Sequence, residues 1–525
     1  MTASVVEDGT PPPPVTHVEA DRATWRVLLR QYLGIGMLTL ACLTFYLVHS
    51  FVEQARYLTT GYDLGIFDQA VRAYSHFQAP IVPLKGAGYN IFGDHFHPII
   101  AVLAPLYWVW DNVGMLFIAQ AVLTAAAVPV VYRFARRRTS EGMALVIAAA
   151  FGFGWPIQSL IDFDFHEIAF ATPLLALAIE ALDRGNDRRL VLWCGLLLLV
   201  REDMGLLVAL IGLLVLARRR GQRRLGFGLS GTGMAVYWVT TSVIIPHFSA
   251  GHAFAYGDQF GDLGSSVGGA ALNVLTHPWH AADVFFTPDV KAKTLEWLVL
   301  PFAVVSFRSR YVLLALPLFA ERFFNSRENL WTTTFHYNAL PWLILTLAMV
   351  DGADRLGFFD ATRRALLLRR GLATLLVGTP VLLIFVGNRY NIVPVTKFRS
   401  AYADQPAGWS DSAAKVVAWL PRNVCVAADN RIVPHLTHRD WTTVPATDST
   451  EPDYYAIDIF AQDTGGNPPA PKPDAVYNSA LATGYKQVFT SGTFVVLQAP
   501  DYHGPSSACA PLGPGKPLGP GKPLG

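Results

Sequence analysis

Charged residues are scarce in this chain. They make up only 15% of its 525 residues, whereas a soluble domain carries roughly 25%. The deficit is concentrated in long apolar runs that alternate with short, charge-rich loops, and such runs are too long for the core helices of a soluble protein. This pattern excludes an ordinary soluble domain and indicates an integral membrane protein. The formal net charge of +2 gives no reason to expect a nucleic-acid partner.

Cysteines are few, and a cleavable signal is lacking. Cys42 and Cys194 fall inside apolar runs, so the four cysteines do not form a disulfide scaffold. The first apolar run, residues 27–52, has no small-residue cleavage site after it and is long enough to be an anchor. The predicted exterior domain contains only Cys425 and Cys509, and disulfides persist outside the cytoplasm. We therefore predict a bridge between these two.

The apolar runs predict about eleven membrane-spanning helices. Placing the N-terminus in the cytoplasm puts nearly every arginine cluster of the membrane part into cytoplasmic loops, as the positive-inside rule requires. Residues 97–110 are also apolar, but counting them as a span would reverse this pattern, so we expect a surface helix at the outer face. The predicted spans lie at roughly 27–50, 113–132, 141–157, 165–182, 189–200, 204–217, 225–246, 294–306, 311–324, 337–350 and 371–388.

The predicted fold class is an α-helical polytopic membrane protein with a small α/β domain at the C-terminus. We expect a location in the plasma (inner) membrane, with a cytoplasmic N-terminus and an extracytoplasmic C-terminal domain. That domain contains neither a Gly-rich phosphate-binding loop nor a clear Ser/His/Asp catalytic motif. We therefore expect it to be a structural cap or lid on the outer face. The predicted parts are a disordered tail (1–24), a transmembrane domain (25–388) with an outer loop (51–112), the α/β domain (389–503) and a disordered Pro/Gly tail (504–525).

Acidic and histidine residues collect in the loops assigned to the outer face. Ionisable groups at membrane depth are costly and are retained mainly for function. Simple solvation of loops is the alternative, but it does not explain aspartates at helix edges. The candidate site residues are Asp63, Asp68, Asp94, His95, His97, Asp162, Asp164, His166, Glu167, Arg201, Glu202, Asp203, Glu321 and Arg322.

The segment Asp94-His-Phe-His97 indicates either a metal site or an acid/base pair, because aspartate and imidazole both ligate zinc and transfer protons. A polar turn before a proline-bounded helix is the alternative. A divalent metal is the only cofactor that these residues indicate, and the sequence leaves metal dependence open. Its candidate ligands are Asp94, His95, Asp162 and His166.

Polar and aromatic residues alternate from Asp162 to Glu167. If the segment is extended, Asp162, Asp164 and His166 share one side. If it is helical, Asp162 and His166 lie one turn apart. Either geometry predicts a concentrated polar face for binding substrate, and an aromatic belt with polar neighbours facing water is the alternative.

Two further groups are candidates for holding substrate. Arg201, Glu202 and Asp203 form either a self-neutralising buried charge cluster or part of a binding site. Beside Glu321, Arg322 is the first candidate for binding a phosphate, because a planar guanidinium binds phosphate bidentately. Arg201 is the second.

These motifs resemble those of a known family. The segments Tyr62-Asp-Leu-Gly-Ile-Phe-Asp-Gln69, Gly93-Asp-His-Phe-His-Pro98, 162–167 and Arg201-Glu-Asp-Met204 look like those of a bacterial and archaeal family of membrane proteins whose domain has no known function. That family is thought to be related to the GT-C class of membrane glycosyltransferases, and the layout of one span followed by a long outer loop with an early aspartate resembles that class. The resemblance covers about residues 30–500.

The resemblance implies transfer of a sugar from a polyprenyl-phosphate donor to a cell-envelope glycan or protein, within the membrane lipid. Asp63 matches the catalytic aspartate and would act as base on the acceptor hydroxyl. Many GT-C enzymes have adjacent acids at this point, whereas Asp63 and Asp68 lie five residues apart, so the choice between them stays open, with Asp94 as a third candidate. The alternatives are a non-enzymatic transporter or flippase of lipid-linked sugars, and an envelope assembly scaffold.

Overall fold

The computed structural model describes residues 17–218, 220–249, 251–302, 304–387, 408–445, 452–462, 471–500 and 502–504. Residues 1–16 and 505–525, with most of the two predicted disordered tails, lie outside the described residues. So does Cys509, and its pairing with Cys425 stays a prediction. The first helix begins at His17, inside the predicted tail, because residues 17–24 contain no proline or glycine that would stop a helix.

Helices make up most of the described chain. The N-terminal half contains α1 (His17–Ala55), α2 (Ile66–Ser75), α3 (Ala104–Val109), α4 (Gly114–Arg136), α5 (Glu141–Gly152), α6 (Trp155–Asp162), α7 (Ile168–Arg184), α8 (Asp187–Leu197), α9 (Met204–Arg218), α10 (Arg223–Val239) and α11 (Ile245–Phe248). They are followed by α12 (Val267–Thr276), α13 (Pro278–Phe286), α14 (Asp289–Val299), α15 (Leu316–Phe323), α16 (Ala339–Arg355) and α17 (Arg363–Gly387).

Four of the described stretches are long and apolar enough to cross a membrane. They are Tyr32–Ala55, Gly114–Arg136, Glu141–Asp162 and Arg223–Phe248. The other predicted spans coincide with shorter helices such as α7, α8 and α16, or with segments broken by 3₁₀ turns. The chain is therefore a helical, membrane-spanning protein, and the count of eleven spans stays a prediction.

Local sequence explains where several helices begin and end. Gly185 ends α7 with a φ of 73°, a left-handed conformation that glycine adopts without steric cost. The next residue, Asn186, accepts a hydrogen bond from the Arg189 amide at 3.1 Å and so begins α8. Ser140 begins α5 in the same way, by accepting from the Met143 amide. These short connections fold α7, α8 and their neighbours back on one another.

Helices α9 and α10 form a hairpin with very close backbones. A Cβ atom on Gly205 would lie 2.6 Å from the Gly233 carbonyl oxygen, and one on Gly212 would lie 2.5 Å from the Ser230 amide nitrogen. Small residues at a helix interface permit this approach inside a membrane, where van der Waals packing holds helices together. The tip that precedes α9 carries Arg201, Glu202 and Asp203.

The C-terminal domain contains a five-stranded mixed sheet, as the sequence predicts. Its strands are β1 (Cys425–Ala428), β2 (Trp441–Thr443), β3 (Tyr454–Asp458), β4 (Lys486–Ser491) and β5 (Phe494–Gln498), in the order β2-β1-β3-β5-β4. Strands β2, β1 and β3 run parallel, and β5 is antiparallel to both β3 and β4. Helices α18 (Trp409–Trp419) and α19 (Pro473–Ala482) complete the domain.

This domain contacts the loop that follows α1. Asn430, just after β1, accepts a hydrogen bond from the Tyr62 amide through its side chain (3.1 Å) and one from the Gly61 amide through its carbonyl (2.8 Å). Gln69 donates to the Thr442 carbonyl at 2.8 Å. The sheet therefore lies on the same side of the molecule as the loop that carries Asp63.

Candidate functional site

A cavity of about 510 Å³ lies among α9, α10, α12, α15 and the loops beside them. One end is lined by six of the residues that the sequence singles out: His95, His166, Arg201, Glu202, Asp203 and Glu321. The other walls are apolar and include Leu206, Ala270, Ala271, Val274, Leu275 and Phe324. Such a cavity suits a molecule with a polar head and an apolar tail.

His95 and Glu202 form a close ion pair at the polar end. His95 Nδ1 lies 2.7 Å from Glu202 Oε1, and the Phe96 amide donates to Glu202 Oε2 at 3.0 Å. The imidazole stacks on the Tyr256 ring at a centroid distance of 4.6 Å. Burial alone would lower the pKa of His95, but the charge and hydrogen bond of Glu202, together with the charge of Asp94, outweigh it and raise the pKa to about 9. His95 is therefore a cation at neutral pH.

Asp94 is held as a carboxylate by two partners. Lys85 Nζ lies 3.0 Å from its Oδ2 atom, and the Tyr256 hydroxyl donates to Oδ1 at 2.6 Å. Burial would raise the pKa of Asp94, but the charges of Lys85 and His95 and the Tyr256 hydrogen bond lower it well below the usual range. Asp94 is therefore a weak proton acceptor, which makes it the poorer candidate for a general base.

Behind the cavity lies a group of buried polar side chains with unused hydrogen-bonding atoms. His166 and His336 stack at a centroid distance of 3.7 Å, and both ring nitrogens of His336 lack a hydrogen-bond partner among the described residues. His97 Nδ1 and both oxygens of Glu167 also lack one, although Glu167 lies 2.8 Å from His166 in an ion pair without hydrogen-bond geometry. Buried polar groups normally have partners, so these atoms indicate a place where a polar ligand binds.

Arg201 is fixed by its neighbour. It donates to both carboxylate oxygens of Asp203, at 2.7 and 2.8 Å, and its Nη1 atom lies 3.5 Å from Glu167. Glu321 is exposed although it lies inside the molecule, because it projects into the cavity. The segment 201–203 therefore contains a self-neutralising pair and also lines the cavity, and its role in binding substrate stays a prediction.

Asp63 lies in the turn Gly61–Gly65 between α1 and α2. Burial raises its pKa, His166 and Lys85 act in the opposite direction, and the carboxylates of Glu167 and Asp94 raise it further. Asp63 also acts electrostatically on Tyr337, which lines the cavity. Asp63 does not itself line the cavity, but it lies near enough to act on a residue that does, and its pKa is shifted toward that of an effective base.

Asp68 lies elsewhere. It is fully buried in α2, where it pairs with Arg72 at 3.1 Å and accepts a hydrogen bond from the Tyr107 hydroxyl at 2.7 Å. Both partners hold it in a structural network that does not line the cavity.

The segment 162–167 differs from both sequence expectations, which placed Asp162, Asp164 and His166 on one extended face or Asp162 and His166 one helical turn apart. Asp162 is the last residue of α6, and Asp164 has a φ of 62°. That left-handed residue turns the chain, so an extended or helical period does not continue through it. As a result His166 faces the cavity, whereas Asp162 contacts His49 at 3.1 Å and Asp164 accepts from the Thr60 amide at 3.0 Å.

The structure separates two arginines that the sequence places close together. The guanidinium of Arg322 is buried and donates to the carbonyls of Leu330 and Tyr337 and to the Asn338 side chain. Arg327 lines the cavity, with its guanidinium 5.7 Å from the centre of the Tyr256 ring, and it forms no ion pair with any described residue. Arg327 thus has its hydrogen-bond donors available.

Several cavity residues were not among the sequence candidates. Tyr256, Arg327 and Tyr337 line the cavity, whereas Lys85 and His336 lie beside it and contact Asp94 and His166. Arg327 and His336 follow Glu321 in a segment that the sequence assigns to the outer face, so their position in that segment was the available signal. Nothing in the local sequence distinguishes Lys85 or Tyr256, because each is placed by tertiary contacts, Lys85 with Asp94 and Tyr256 with Asp94 and His95.

Two solved structures are similar in outline. They are crystal structures of ArnT from Cupriavidus metallidurans, one bound to undecaprenyl phosphate and one in the apo state. The first is 14% identical, has a TM-score of 0.48, and covers 89% of this chain and 99% of ArnT. The second is 13% identical, has a TM-score of 0.45, and covers 86% and 97%.

A comparison with curated proteins gives no match. A family model does match, over residues 55–472. This range includes the turn with Asp63, all the residues of the cavity and most of the C-terminal domain. The chain therefore belongs to the family described as "Predicted membrane protein (DUF2079)".

Proposed function

We propose that this protein is a membrane glycosyltransferase that moves a sugar from a polyprenyl-phosphate donor to an extracytoplasmic acceptor. The observation that carries the proposal is the two-ended cavity, in which charged side chains and an apolar wall lie on either side of one space of about 510 Å³. A lipid-phosphate sugar has the same two-ended chemistry. The layout of one span followed by a long outer loop with an early aspartate resembles that of GT-C enzymes and supports the same class of reaction.

The apolar wall would hold the part of the lipid chain nearest the phosphate. Ala271 and Leu275, on α12, lie in this wall and are accessible from the cavity. Burying each methylene of a lipid chain contributes about 0.8 kcal/mol. A few isoprenoid units are enough to anchor the donor here, while the rest of the chain stays in the bilayer.

Asp63 would act as the general base. Its carboxylate takes the proton from an acceptor hydroxyl, and that oxygen attacks the anomeric carbon of the donor sugar. The bond between this carbon and the phosphate oxygen breaks, and the lipid phosphate leaves with its electron pair. Of the three acidic candidates Asp63 has the environment that suits the task, because its pKa is raised while Asp94 is held ionised by Lys85.

Arg327 and His95 would stabilise the negative charge on the departing phosphate. Arg327 offers a guanidinium at the cavity wall, and His95 is a cation because Glu202 raises its pKa. Charged donors that already point at the developing charge are among the strongest contributions to catalysis. The unused polar atoms of His336 and Glu167 would bind hydroxyl groups of the sugar.

A cavity-filling variant tests the proposal directly. Purified protein in nanodiscs is incubated with a panel of polyprenyl-phosphate hexoses and pentoses, and binding and sugar transfer are measured. We expect wild type to bind at least one donor and Ala271→Trp to lose that binding, because the indole fills the apolar section.

The matched control is Ala282→Trp, which places the same side chain at an exposed alanine of α13 outside the cavity. It should bind the donor as wild type does. Equal binding by the two variants would contradict the assignment of the cavity. A wild type that binds and transfers none of the donors would favour a transporter or a scaffold.

A further inference from the structure

A second polar cluster lies at the end of α1, apart from the cavity. His49 and Glu53 are four residues apart and therefore share one face of the helix. Asp162 reaches them from the end of α6. His49 Nε2 lies 3.3 Å from Glu53 Oε2 and 3.1 Å from Asp162 Oδ1. One ligand atom from each of the three residues lies within 4.8 Å of the other two.

This geometry matches the way helices build metal sites. Two ligands at positions i and i+4 of a helix, completed by a third from a distant segment, form a three-point chelate. Imidazole nitrogen and carboxylate oxygen are both zinc ligands, and three protein ligands leave a fourth position for water. A buried ion pair is the simpler reading, but it needs only two of the three groups.

The surroundings of the triad favour a cation. The ring of His49 stacks on Phe45 at 6.3 Å with an interplanar angle of 22°, which fixes the direction of its nitrogens. The carboxylates of Glu53 and Asp162 both approach the same imidazole nitrogen. They therefore repel each other, and a divalent cation would relieve that repulsion.

We propose that His49, Glu53 and Asp162 bind a divalent transition-metal ion, with zinc preferred by the imidazole. The bound ion would have a structural role and would not take part in the reaction. Asp164 accepts hydrogen bonds from both the amide and the hydroxyl of Thr60, at 3.0 and 3.3 Å. Thr60 directly precedes the turn that carries Asp63, so an ion here would fix the start of that turn. The inference does not depend on the proposed transferase activity.

The test measures the metal itself. The full chain, purified in nanodiscs after growth with added zinc and dialysed against buffer without metal, is analysed by mass spectrometry for bound ions. We expect wild type to retain a single zinc ion and His49→Ala, Glu53→Gln and Asp162→Asn to lose it. Loss of a supporting residue alone typically weakens a metal site about 10–100-fold, so loss of a direct ligand should exceed about 100-fold.

Two control variants share the chemistry but not the site. His76→Ala removes a half-buried histidine of the loop after α2, and Asp351→Asn changes a buried carboxylate of α16. Both should retain zinc. Cobalt(II) added to wild type should give the visible absorption of a nitrogen- and oxygen-ligated ion, which Glu53→Gln should lack even if His49→Ala folds poorly. A wild type without bound zinc or a cobalt spectrum, or ligand variants that retain the ion, would overturn the proposal.

Discussion

Two polar regions lie at different places in this largely apolar molecule, and they differ in how completely their charges are paired. The first, here named the arginine network, joins Arg133, Arg137 and Arg138 to Glu180, Asp183 and Asp351. Glu180 forms ion pairs with Arg133 and Arg137, both at 2.8 Å. Asp183 forms ion pairs with Arg137 and Arg138 and accepts a hydrogen bond from the Tyr311 hydroxyl.

The polar end of the cavity is the second region, and its pairing is incomplete. His336, His97 and Glu167 are buried there with atoms that no described residue satisfies. A completed network serves stability and fixes the loops that join the helices, whereas unused polar atoms beside a cavity indicate a ligand. Completeness of pairing, more than the number of charges, separates a structural region from a functional one.

The largest expected effect concerns the region assigned to function, and it comes from replacing the proposed general base. Asp63→Asn should lower the rate of sugar transfer by about 10²–10⁴-fold, because the amide cannot accept the acceptor proton. The unfolding temperature should stay near that of wild type, since the substitution preserves size. Initial rates and thermal unfolding of both proteins check this, with Asp360→Asn, at an exposed loop position, as the control. Full activity of the Asp63 variant would move the role of base to another residue.

The next prediction concerns the arginine network. Asp183→Ala should lower the free energy of unfolding by about 1–3 kcal/mol, because Arg138 and the Tyr311 hydroxyl lose a partner whereas Arg137 keeps Glu180. The turnover of the fraction that folds should be unchanged. Denaturation in detergent, followed by circular dichroism, measures the loss. The exposed Asp360→Ala should change the stability by no more than about 0.5 kcal/mol. If Asp183→Ala lowers turnover but not stability, the division between the two regions fails.

A smaller effect is expected at the cavity wall. Arg327→Ala should raise the KM for the lipid-phosphate donor by about 10–100-fold, the equivalent of one lost charge-assisted hydrogen bond or two. The kcat should change little, because a phosphate contact acts on ground and transition states alike. Steady-state kinetics separate the two constants. Arg310→Ala, at an exposed position outside the cavity, should leave both unchanged, and an unchanged KM in Arg327→Ala would remove Arg327 from the site.

The smallest effect concerns pH. Because Glu202 raises the pKa of His95 to about 9, the stabilisation from their ion pair is complete below the unfolded-state pKa of about 6.5. It is lost as the pH rises through about 9. Wild type should therefore lose unfolding temperature between pH 7 and 10, and Glu202→Gln should show a shallower decline. Parallel declines in the two proteins would show that His95 is not charged at neutral pH.

Much of the helical layout could be predicted from the sequence. Most of the predicted spans coincide with helices, among them α1, α4, α7 and α16, because a long apolar stretch has to satisfy its backbone internally. The number of membrane-spanning helices is harder to derive from the sequence than their positions. Short helices such as α8 have apolar composition but too few residues to cross straight, and composition does not show how such helices pair.

The site was predictable by region and less so by residue. Six outer-loop candidates line one cavity, because the loops that carry them meet on one side of the helices. Glu321 and Arg322 show the limit. Neighbouring helical residues point about 100° apart, so one faces the cavity and the other is buried, and only tertiary packing decides which. The turn at Asp164 could not be predicted either, because no feature of the neighbouring sequence indicates its left-handed conformation.

The glycine contacts between α9 and α10 determine which wall of the cavity is able to move. Because the backbones touch at Gly205 and Gly233, the two helices cannot slide or part without losing their packing. Tyr237 and the 201–203 tip therefore belong to a fixed wall of the cavity. On the opposite side lies α12, most of whose residues are exposed, so a shift of that wall would cost fewer packing contacts. The proposed lipid donor would then enter between α12 and the hairpin.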